Sequence, residues 1–276
     1  MMLKAYNIDD MYRHMCRDIY YDGSDIAGTR ELNNYMITLT NLDQVFINVR
    51  NASKNYAAAE LLWYLNGRND VKFIGKYASL WNKLTDDGVT NNSAYGYILK
   101  YKHGFDQVEK MVELLKADPN SRRAVININV PNERVIETKD EMCTICLVFQ
   151  LRDGKLNCTG IMRSNDIYTG TIYDIPYFVL IQKYIADSLG VEYGTYTHIA
   201  ISLHCYDRHL DKVRDIADIG KKDDICVNIN HKNLFAHYEE ILKDVETNGI
   251  SPEAAFWSYR VYEELEDWFN WILLNV

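Results

Sequence analysis

Apolar positions recur at helical spacing in two early stretches of the chain. Between Asn55 and Gly67, alanines and leucines fall on one face of a predicted helix, which Gly67 ends. A second amphipathic helix is predicted from Phe105 to Ala117, where Asp-Pro-Asn follows it. Later segments are β-branched or alternate between apolar and polar residues, a pattern typical of strands.

The same patterns predict the remaining order of elements. Asp153-Gly154 separates two strand-like runs and is a strong signal for a tight hairpin. The predicted strands are Ala124 to Val130, Leu147 to Leu151, Lys155 to Met162 and Tyr196 to Leu203; the predicted helices are Asp174 to Leu189 and aromatic-rich segments from Asn233 onward. Because no stretch is typical of a linker or a repeat, we expect one α/β domain over residues 1–276.

Composition narrows the class of protein. The 276 residues are 47% hydrophobic, enough for a large core, and the net charge is −9. An acidic chain has no general affinity for nucleic acid or an anionic membrane, so any phosphate must be bound by a few placed arginines. The first residues do not resemble a secretion signal, and no long uncharged apolar segment occurs. We therefore expect a cytoplasmic enzyme.

The six cysteines have irregular spacing and do not indicate a disulfide framework. Cys143 and Cys146 form a C-x-x-C motif, but no second pair accompanies it. Since side chains three apart on a strand point to opposite faces, a shared metal or disulfide is not favoured. The sequence predicts no metal site.

Candidate phosphate ligands come in two groups, Arg122-Arg123 and Arg163-Ser164. Guanidinium forks match phosphate oxygens, and a serine hydroxyl adds a donor. A solvated arginine pair at a strand entry is the alternative for Arg122 and Arg123.

Three further positions are candidates for catalysis or sugar binding. Cys143 is either a nucleophile whose pKa nearby arginines lower, or a structural thiol. Glu60 lies among apolar helical neighbours and is either a surface residue or a desolvated acid for proton transfer. His204 and Tyr206 alternate along a strand, so both face the same way and could bind a sugar hydroxyl or serve as core groups.

Taken together, these residues resemble the thymidylate synthase family. The matching motifs, in order, are Glu60-Leu-Leu-Trp-Tyr-Leu-Asn-Gly67, Trp81, Tyr95-Gly96, Ser121-Arg-Arg123, Met142-Cys-Thr144, Met162-Arg-Ser-Asn-Asp166, Gly170-Thr-Ile-Tyr-Asp174 and Leu203-His-Cys-Tyr-Asp-Arg-His209. Each motif alone is weak, but the ordered set, from about residue 57 to 211, is specific. The resemblance implies a large mixed sheet flanked by helices, with one sheet face forming a dimer interface.

The resemblance also implies a mechanism. Cys143 adds to C6 of a pyrimidine nucleotide, C5 attacks the one-carbon unit of 5,10-methylenetetrahydrofolate, and Glu60 moves protons. The phosphate ligands would be Arg122, Arg123, Arg163 and Ser164, with Arg30 as a further one on a mobile loop. His204 and Tyr206 would hold the sugar, and Tyr95 would line the nucleotide site. The residues at the folate would be Asp166, Trp81 and Gly170. In this family the tandem arginines cross the interface of a homodimer.

Asp174 stands where thymidylate synthases have an asparagine that complements uracil. A carboxylate accepts from the cytosine amino group and from a protonated N3, whereas it repels O4 of uracil. Asp174 therefore points to cytosine. With the Met-Cys-Thr and Met-Arg-Ser-Asn-Asp contexts, it is similar to the deoxycytidylate hydroxymethylases of bacteriophages, in which water captures the methylene intermediate.

Other departures bear on the final step. Thr144 replaces a usual histidine, Val148 replaces a glutamine, and the C-terminal Trp271 to Val276 lacks a proline-containing end that closes over folate. A looser lid would admit water. Trp81 is shared by both kinds of enzyme and does not discriminate between them. We expect a dCMP 5-hydroxymethylase; the alternatives are a dCMP methyltransferase, a CMP hydroxymethylase, a thymidylate synthase acting on dUMP, and an inactive nucleotide-binding protein.

Overall fold

A computed structural model describes residues 3–130, 135–219, 225–250 and 257–261, the last segment and residues 225–227 by backbone alone. The predicted C-terminal departure at Trp271 to Val276 lies outside these residues. Within the described ranges, no helix combines the length and apolarity needed to cross a membrane.

Two predicted helices lie close to their predicted bounds, whereas Trp257–Val261, in the stretch predicted as helical from Asn233 onward, forms a strand. Ser53 caps the first predicted helix through a hydrogen bond from the Tyr56 amide, and Gly67 adopts a φ of +63° just beyond its end. Asp106 caps the second one in the same way. The helices are α1 (Ile8–Asp22), α2 (Lys54–Leu65), α3 (Val71–Ile74), α4 (Tyr95–Tyr97), α5 (Gln107–Ala117), α6 (Thr171–Leu189), α7 (Leu210–Asp218) and α8 (His231–Asn248).

The described strands form an eight-stranded mixed sheet and a separate antiparallel pair. They are β1 (Leu3–Ala5), β2 (Ser24–Ile26), β3 (Thr29–Leu39), β4 (Val125–Asn127), β5 (Thr144–Arg152), β6 (Lys155–Met162), β7 (Asn165–Asp166), β8 (Glu192–Tyr206), β9 (Ile225–Ile229) and β10 (Trp257–Val261). The main path runs β1-β3-β8-β6-β5-β4, with β2 beside β3 and β7 beside β8, while β9 pairs with β10. The β1–β3, β6–β8 and β7–β8 pairs are parallel.

The Asp153-Gly154 hairpin confirms its sequence signal. Arg152 pairs with Lys155, and the two residues between them have φ values of 52° and 73°. Two positive φ angles define a turn whose twist matches that of the strands it joins. The turn therefore fixes the register in which β6 returns along β5.

The two faces of the sheet differ in burial. Helix α6 packs against β6 and β8 and is buried along most of its length, and α1 packs against β3. On β8 the residues facing these helices are buried, whereas Thr197, Ile199 and Ile201 on the opposite face are half-buried or exposed. Met36 on β3 and Ile161 on β6 continue this open face. The core thus lies between the sheet and the helices on one side.

Candidate active site

Cys143 directly precedes β5 and is half-buried. The Arg163 amide donates to the Cys143 carbonyl over 2.8 Å. The Arg163 guanidinium donates to the Met142 carbonyl over 2.9 Å and to the Glu141 carbonyl over 3.0 Å. Arg163 therefore fixes the backbone that carries the candidate nucleophile and remains exposed on its outer side.

The protonation of Cys143 differs from the sequence-based expectation. Burial raises the pKa of this thiol to about 11, with a smaller opposing effect from Arg163. The carboxylates of Asp174, Asp140 and Asp166 add to the upward shift. Nearby arginines were predicted to lower the pKa of this thiol. That prediction was wrong for the overall pKa, because the upward effect of desolvation exceeds the downward effect of one exposed guanidinium. At neutral pH the free protein holds Cys143 mainly as the thiol.

Glu60 is buried in α2 with 7% of its surface exposed. Its Oε1 accepts hydrogen bonds from the Tyr56 hydroxyl at 2.6 Å and from the Tyr64 hydroxyl at 3.3 Å. Burial raises the pKa of Glu60 to about 7, and the two hydroxyls oppose that shift. A carboxyl with this pKa exchanges protons readily at neutral pH, which suits a general acid and base.

Trp81 is connected to the same carboxylate. Its indole Nε1 donates to the Tyr56 hydroxyl over 2.9 Å, and its ring lies 5.2 Å from the ring of Trp63. The structure thus joins Trp81, predicted to lie at the folate, to Glu60 through one intervening side chain.

Tyr95 lies beside this group in α4. It is buried, and its ring stacks on that of Tyr64 with centroids 5.5 Å apart. Burial raises the pKa of Tyr95, and the charges of Asp174 and Cys143 contribute. Tyr95 is therefore within electrostatic reach of both residues, as its predicted place in the nucleotide site requires.

Asp174 occupies the first turn of α6 and is partly accessible. Its Oδ2 accepts a hydrogen bond from Asn165 Nδ2 at 3.1 Å. Burial, reinforced by the carboxylates of Glu60 and Asp166, raises the pKa of Asp174 well above its usual range. Gly170 leaves room for the carboxylate, since a Cβ there would lie 3.1 Å from Oδ2.

A buried line of polar side chains orients Asn165. Its Oδ1 lies 2.6 Å from the Thr171 hydroxyl and 3.1 Å from His198 Nε2, and the Tyr196 hydroxyl lies 3.0 Å from His198 Nδ1. Burial lowers the pKa of His198 to about 4, so the imidazole is neutral. With its Oδ1 accepting, Asn165 turns its amide nitrogen toward Asp174.

Ser164 and His204 come together where β7 pairs with β8. Ser164 Oγ lies 3.4 Å from His204 Nδ1, and the rings of His204 and Tyr206 meet edge to face at 5.5 Å. The expectation that His204 and Tyr206 share one face is confirmed. A predicted phosphate ligand therefore lies next to the predicted sugar ligands.

Asp166 was predicted to lie at the folate, and Arg50, which was not predicted, contacts the same neighbour, Tyr168. Asp166 accepts from the Tyr168 and Thr169 amides at 2.9 and 3.2 Å and from the Thr169 hydroxyl, so its carboxylate is held in place. The Arg50 guanidinium lies 3.9 Å from the Tyr168 ring centroid. Among the described residues, Nε and Nη1 of Arg50 are buried without a hydrogen-bond partner.

Three other predicted phosphate ligands have no described side-chain contact with Ser164 or His204. Arg122 and Arg123 are exposed between α5 and β4, and the ion pair described for Arg123 is with Asp118 at 3.9 Å. Arg30 lies in β3, where its Nε donates to the Gly23 carbonyl at 3.1 Å. The prediction that Arg30 lies on a mobile loop was wrong, because the Arg30 backbone pairs with Cys205 of β8.

Sequence reasoning missed several residues of the site. Tyr56 lies one helical turn before Glu60, a spacing visible in the sequence but equally typical of a core aromatic residue. Asn165 lies inside one of the matching motifs, but no role was predicted for it. Arg50 and His198 carry no local signal, because their partners are distant in the chain.

Comparisons with known proteins identify the family of this chain. A family model described as thymidylate synthase matches residues 10–256. The deoxyuridylate hydroxymethyltransferase of Bacillus phage SP01 is 35% identical over 211 residues, covering 71% of this chain and 55% of that protein. The protein of the same name from Pseudomonas phage M6 is 32% identical over 174 residues, covering 62% of this chain and 50% of that protein. The chain thus spans about half the length of these curated relatives.

A solved structure matches the fold. Thermostable thymidylate synthase A from Bacillus subtilis superposes with a TM-score of 0.67 at 23% identity, covering 81% of this chain and 88% of that one. The mixed sheet flanked by helices is therefore the fold of that enzyme. From the match over residues 10–256 and the identity to the phage proteins, the chain belongs to the thymidylate synthase family.

Proposed function

We propose that the protein is a cytoplasmic, homodimeric dCMP 5-hydroxymethylase that uses 5,10-methylenetetrahydrofolate. The observation that carries this proposal is that half-buried Asp174 lies within electrostatic reach of both Cys143 and Glu60, which brings the three side chains to one site. Family membership and the hydroxymethyltransferase names of the two phage relatives support the reaction class.

The residues have distinct roles in this proposal. The Cys143 sulfur adds to C6 of the cytosine, and because its thiol is protonated at rest, attack is accompanied by loss of that proton. Glu60, with a pKa of about 7, receives the C5 proton. Arg163 and Ser164 bind phosphate beside the sugar ligands His204 and Tyr206.

The residues present fit a folate. Arg50 offers two buried donors without a partner, which suit a carboxylate of the glutamyl tail, and the rings of Tyr168 and Trp81 provide apolar surface. When bound, the folate supplies a carbon at the oxidation level of formaldehyde. Water capture at that carbon gives a hydroxymethyl group and tetrahydrofolate, whereas hydride transfer would give a methyl group and dihydrofolate.

Asp174 supports cytosine as the base. Asn165 donates to Oδ2 and occupies one of its lone pairs, so Oδ1 and the second lone pair of Oδ2 remain for a base. An ionised Asp174 pairs with the amino group and protonated N3 of cytosine, and a neutral one can donate to N3 while accepting from the amino group. Cytosine therefore fits both protonation states of this carboxyl.

A second candidate is hydroxymethylation of dUMP. The names of both phage relatives specify deoxyuridylate, and a neutral Asp174 could donate to O4 and accept from N3–H of uracil. Burial favours that neutral form. We rank dCMP first, because uracil is complementary to only one protonation state.

The test is mass spectrometry of products formed with methylenetetrahydrofolate and, separately, dCMP, CMP and dUMP. A gain of CH2O on dCMP together with tetrahydrofolate is the expected result. The same gain on dUMP alone would establish the second candidate, and a gain of CH2 would indicate hydride transfer. If no nucleotide gave a product, the proposal that the protein is an enzyme of this class would be refuted.

The proposed dimer uses the open face of the sheet. That face carries half-buried or exposed apolar side chains, among them Met36, Ile199 and Ile201. Arg122 and Arg123 are exposed just before β4, the last strand of the sheet path, and lack a described contact with Arg163, consistent with reaching a partner's phosphate site.

Mixing two inactive variants tests this arrangement. Cys143→Ala and the double variant Arg122→Glu, Arg123→Glu should each be inactive alone. After unfolding and refolding together in equal amounts, about a quarter of wild-type activity should return, because half the dimers are mixed and each has one intact site. If the arginines served their own subunit's site, every site would keep one defect and no activity would return.

A further inference from the structure

Tyr56 stands between Trp81 and Glu60 and contacts both through its hydroxyl oxygen. We propose that Tyr56 is a positioning residue that locks the Trp81 ring to the Glu60 carboxylate and so directs water, rather than another nucleophile, to the methylene intermediate. This inference rests on the proposed function.

The direction of these hydrogen bonds is fixed by chemistry. An indole nitrogen can only donate, so the Tyr56 oxygen accepts from Trp81 Nε1. The single hydroxyl proton of Tyr56 is then donated to Glu60 Oε1, at 2.6 Å. The direction from Trp81 through Tyr56 to Glu60 cannot be reversed, because the indole nitrogen of tryptophan is a donor only.

The same bonds determine which oxygen of Glu60 reacts. Oε1 accepts from both Tyr56 and Tyr64. When Glu60 is neutral its proton is therefore on Oε2, and when Glu60 is ionised Oε2 is the oxygen with free acceptor capacity. Protons thus enter and leave through Oε2.

Packing holds this line in place. The Tyr56 ring meets the Tyr173 ring edge to face at 4.6 Å, and Trp81 packs on Trp63. Trp81 is buried at 9% exposure, and among the described residues Tyr56 is the acceptor for its N–H. Without that acceptor, the buried indole N–H would be unsatisfied. Its desolvation cost would favour a different orientation of the Trp81 ring.

The step that this arrangement serves is water addition. The water oxygen bonds to the exocyclic methylene carbon, and the displaced electron pair forms the C5–C6 double bond and expels the Cys143 sulfur. Glu60, which has released the C5 proton before this step, accepts the water proton at Oε2. The expelled thiolate then takes up a proton and returns to the resting thiol. Across the reaction, dCMP gains CH2O: the transferred CH2 group and the oxygen of one water, whose hydroxyl hydrogen offsets the hydrogen lost from C5. A fixed Trp81 ring beside Glu60 leaves room for water and excludes larger nucleophiles.

Tyr64 supplies a matched control. It donates to the same oxygen of Glu60 but has no described hydrogen bond to Trp81. Tyr56→Phe removes the links to both Glu60 and Trp81, whereas Tyr64→Phe removes only a link to Glu60. An effect confined to Tyr56→Phe is therefore assigned to the Trp81 connection.

The experiment offers a competing nucleophile during turnover of dCMP. With 2-mercaptoethanol at a fixed concentration, mass spectrometry gives the ratio of thioether to hydroxymethyl product. In Tyr56→Phe this ratio should rise by about five-fold or more, since a cost of about 1 kcal/mol corresponds to that factor. In Tyr64→Phe it should stay near the wild-type value. Equal ratios in all three proteins would overturn the proposal.

Release of tritium from [5-³H]dCMP gives a readout of Glu60 alone. Removal of the C5 proton needs ionised Glu60, so release rises with pH through the Glu60 pKa of about 7. Both tyrosine hydroxyls lower that pKa, so either phenylalanine variant should move the acidic limb to higher pH, by about one unit for Tyr56→Phe. An unmoved limb in Tyr56→Phe would also contradict the proposal.

Failure of the proposed function has a different signature. If the wild type forms only a methyl product, the hydroxymethylase assignment fails, yet the pH limb and the ratio of thioether to methyl product still report on Tyr56. Circular dichroism and thermal unfolding of each variant show whether the fold is retained. If Tyr56→Phe misfolds, the folded variant Trp81→Phe must reproduce the raised ratio, and an unchanged ratio there overturns the proposal.

Discussion

Replacing Cys143 with alanine is expected to reduce turnover of dCMP by at least about 10⁴-fold, because the variant cannot form the covalent bond to C6 that activates C5. Binding of dCMP should change by less than about three-fold, since phosphate, sugar and base are bound by other side chains. Isothermal titration with dCMP and a product assay by mass spectrometry measure the two quantities.

Cys146→Ala is the matched control for this change. Cys146 is also half-buried and lies three residues along the chain, in β5, where it pairs with Asn127. It should retain near wild-type turnover. Hydroxymethylation that survived in Cys143→Ala would mean that another group is the nucleophile.

Exchanging Asp174 for asparagine is expected to shift base preference from cytosine toward uracil. An amide accepts from N3–H and donates to O4 of uracil, whereas its donor meets the amino group of cytosine. The variant gains hydrogen bonds to uracil and loses them to cytosine. We therefore expect the ratio of kcat/KM for dUMP to kcat/KM for dCMP to rise by about 10³-fold.

Parallel rate measurements with both nucleotides give this ratio, and the shift should lie in kcat/KM for each base. Asp140→Asn provides a control, since Asp140 is another buried carboxyl, bonded to Ser93, whose charge also reaches Cys143. Its selectivity should match the wild type. If Asp174→Asn left selectivity unchanged, a different group would read the base.

Much of the fold could be predicted because it depends on local signals. The helix from Asn55 to Gly67 has apolar spacing and a terminal glycine, and the structure places it at Lys54–Leu65. The Asp153-Gly154 turn was equally clear, because few residues accept two positive φ angles. Pairing of β6 with β8 was not predictable in this way, since parallel neighbours are brought together by the long α6 crossover.

The chemistry of the site was only partly predictable. Motifs suggested roles for Cys143, Glu60 and Asp174, and these roles stay predictions. The net effect on the Cys143 pKa depends on burial, which no local pattern reports. The same holds for Arg30, whose predicted loop became a strand when it paired with β8. Tyr56 was hidden for a different reason: its role lies in a contact with Trp81, 25 residues away.

The line from Tyr196 through His198 and Asn165 to Asp174 has a consequence for how such a protein can diverge. Four side chains from three elements form one chain of hydrogen bonds. In the proposed site, the donors and acceptors that Asp174 presents to a base therefore depend on residues behind it in the core. Loss of the Tyr196 hydroxyl would remove the hydrogen-bond partner of His198 Nδ1. The hydrogen bonds of His198 to Asn165, and of Asn165 to Asp174, would change in turn. Preference between two pyrimidines can therefore drift through substitutions deep in the core, before any residue lining the pocket is exchanged.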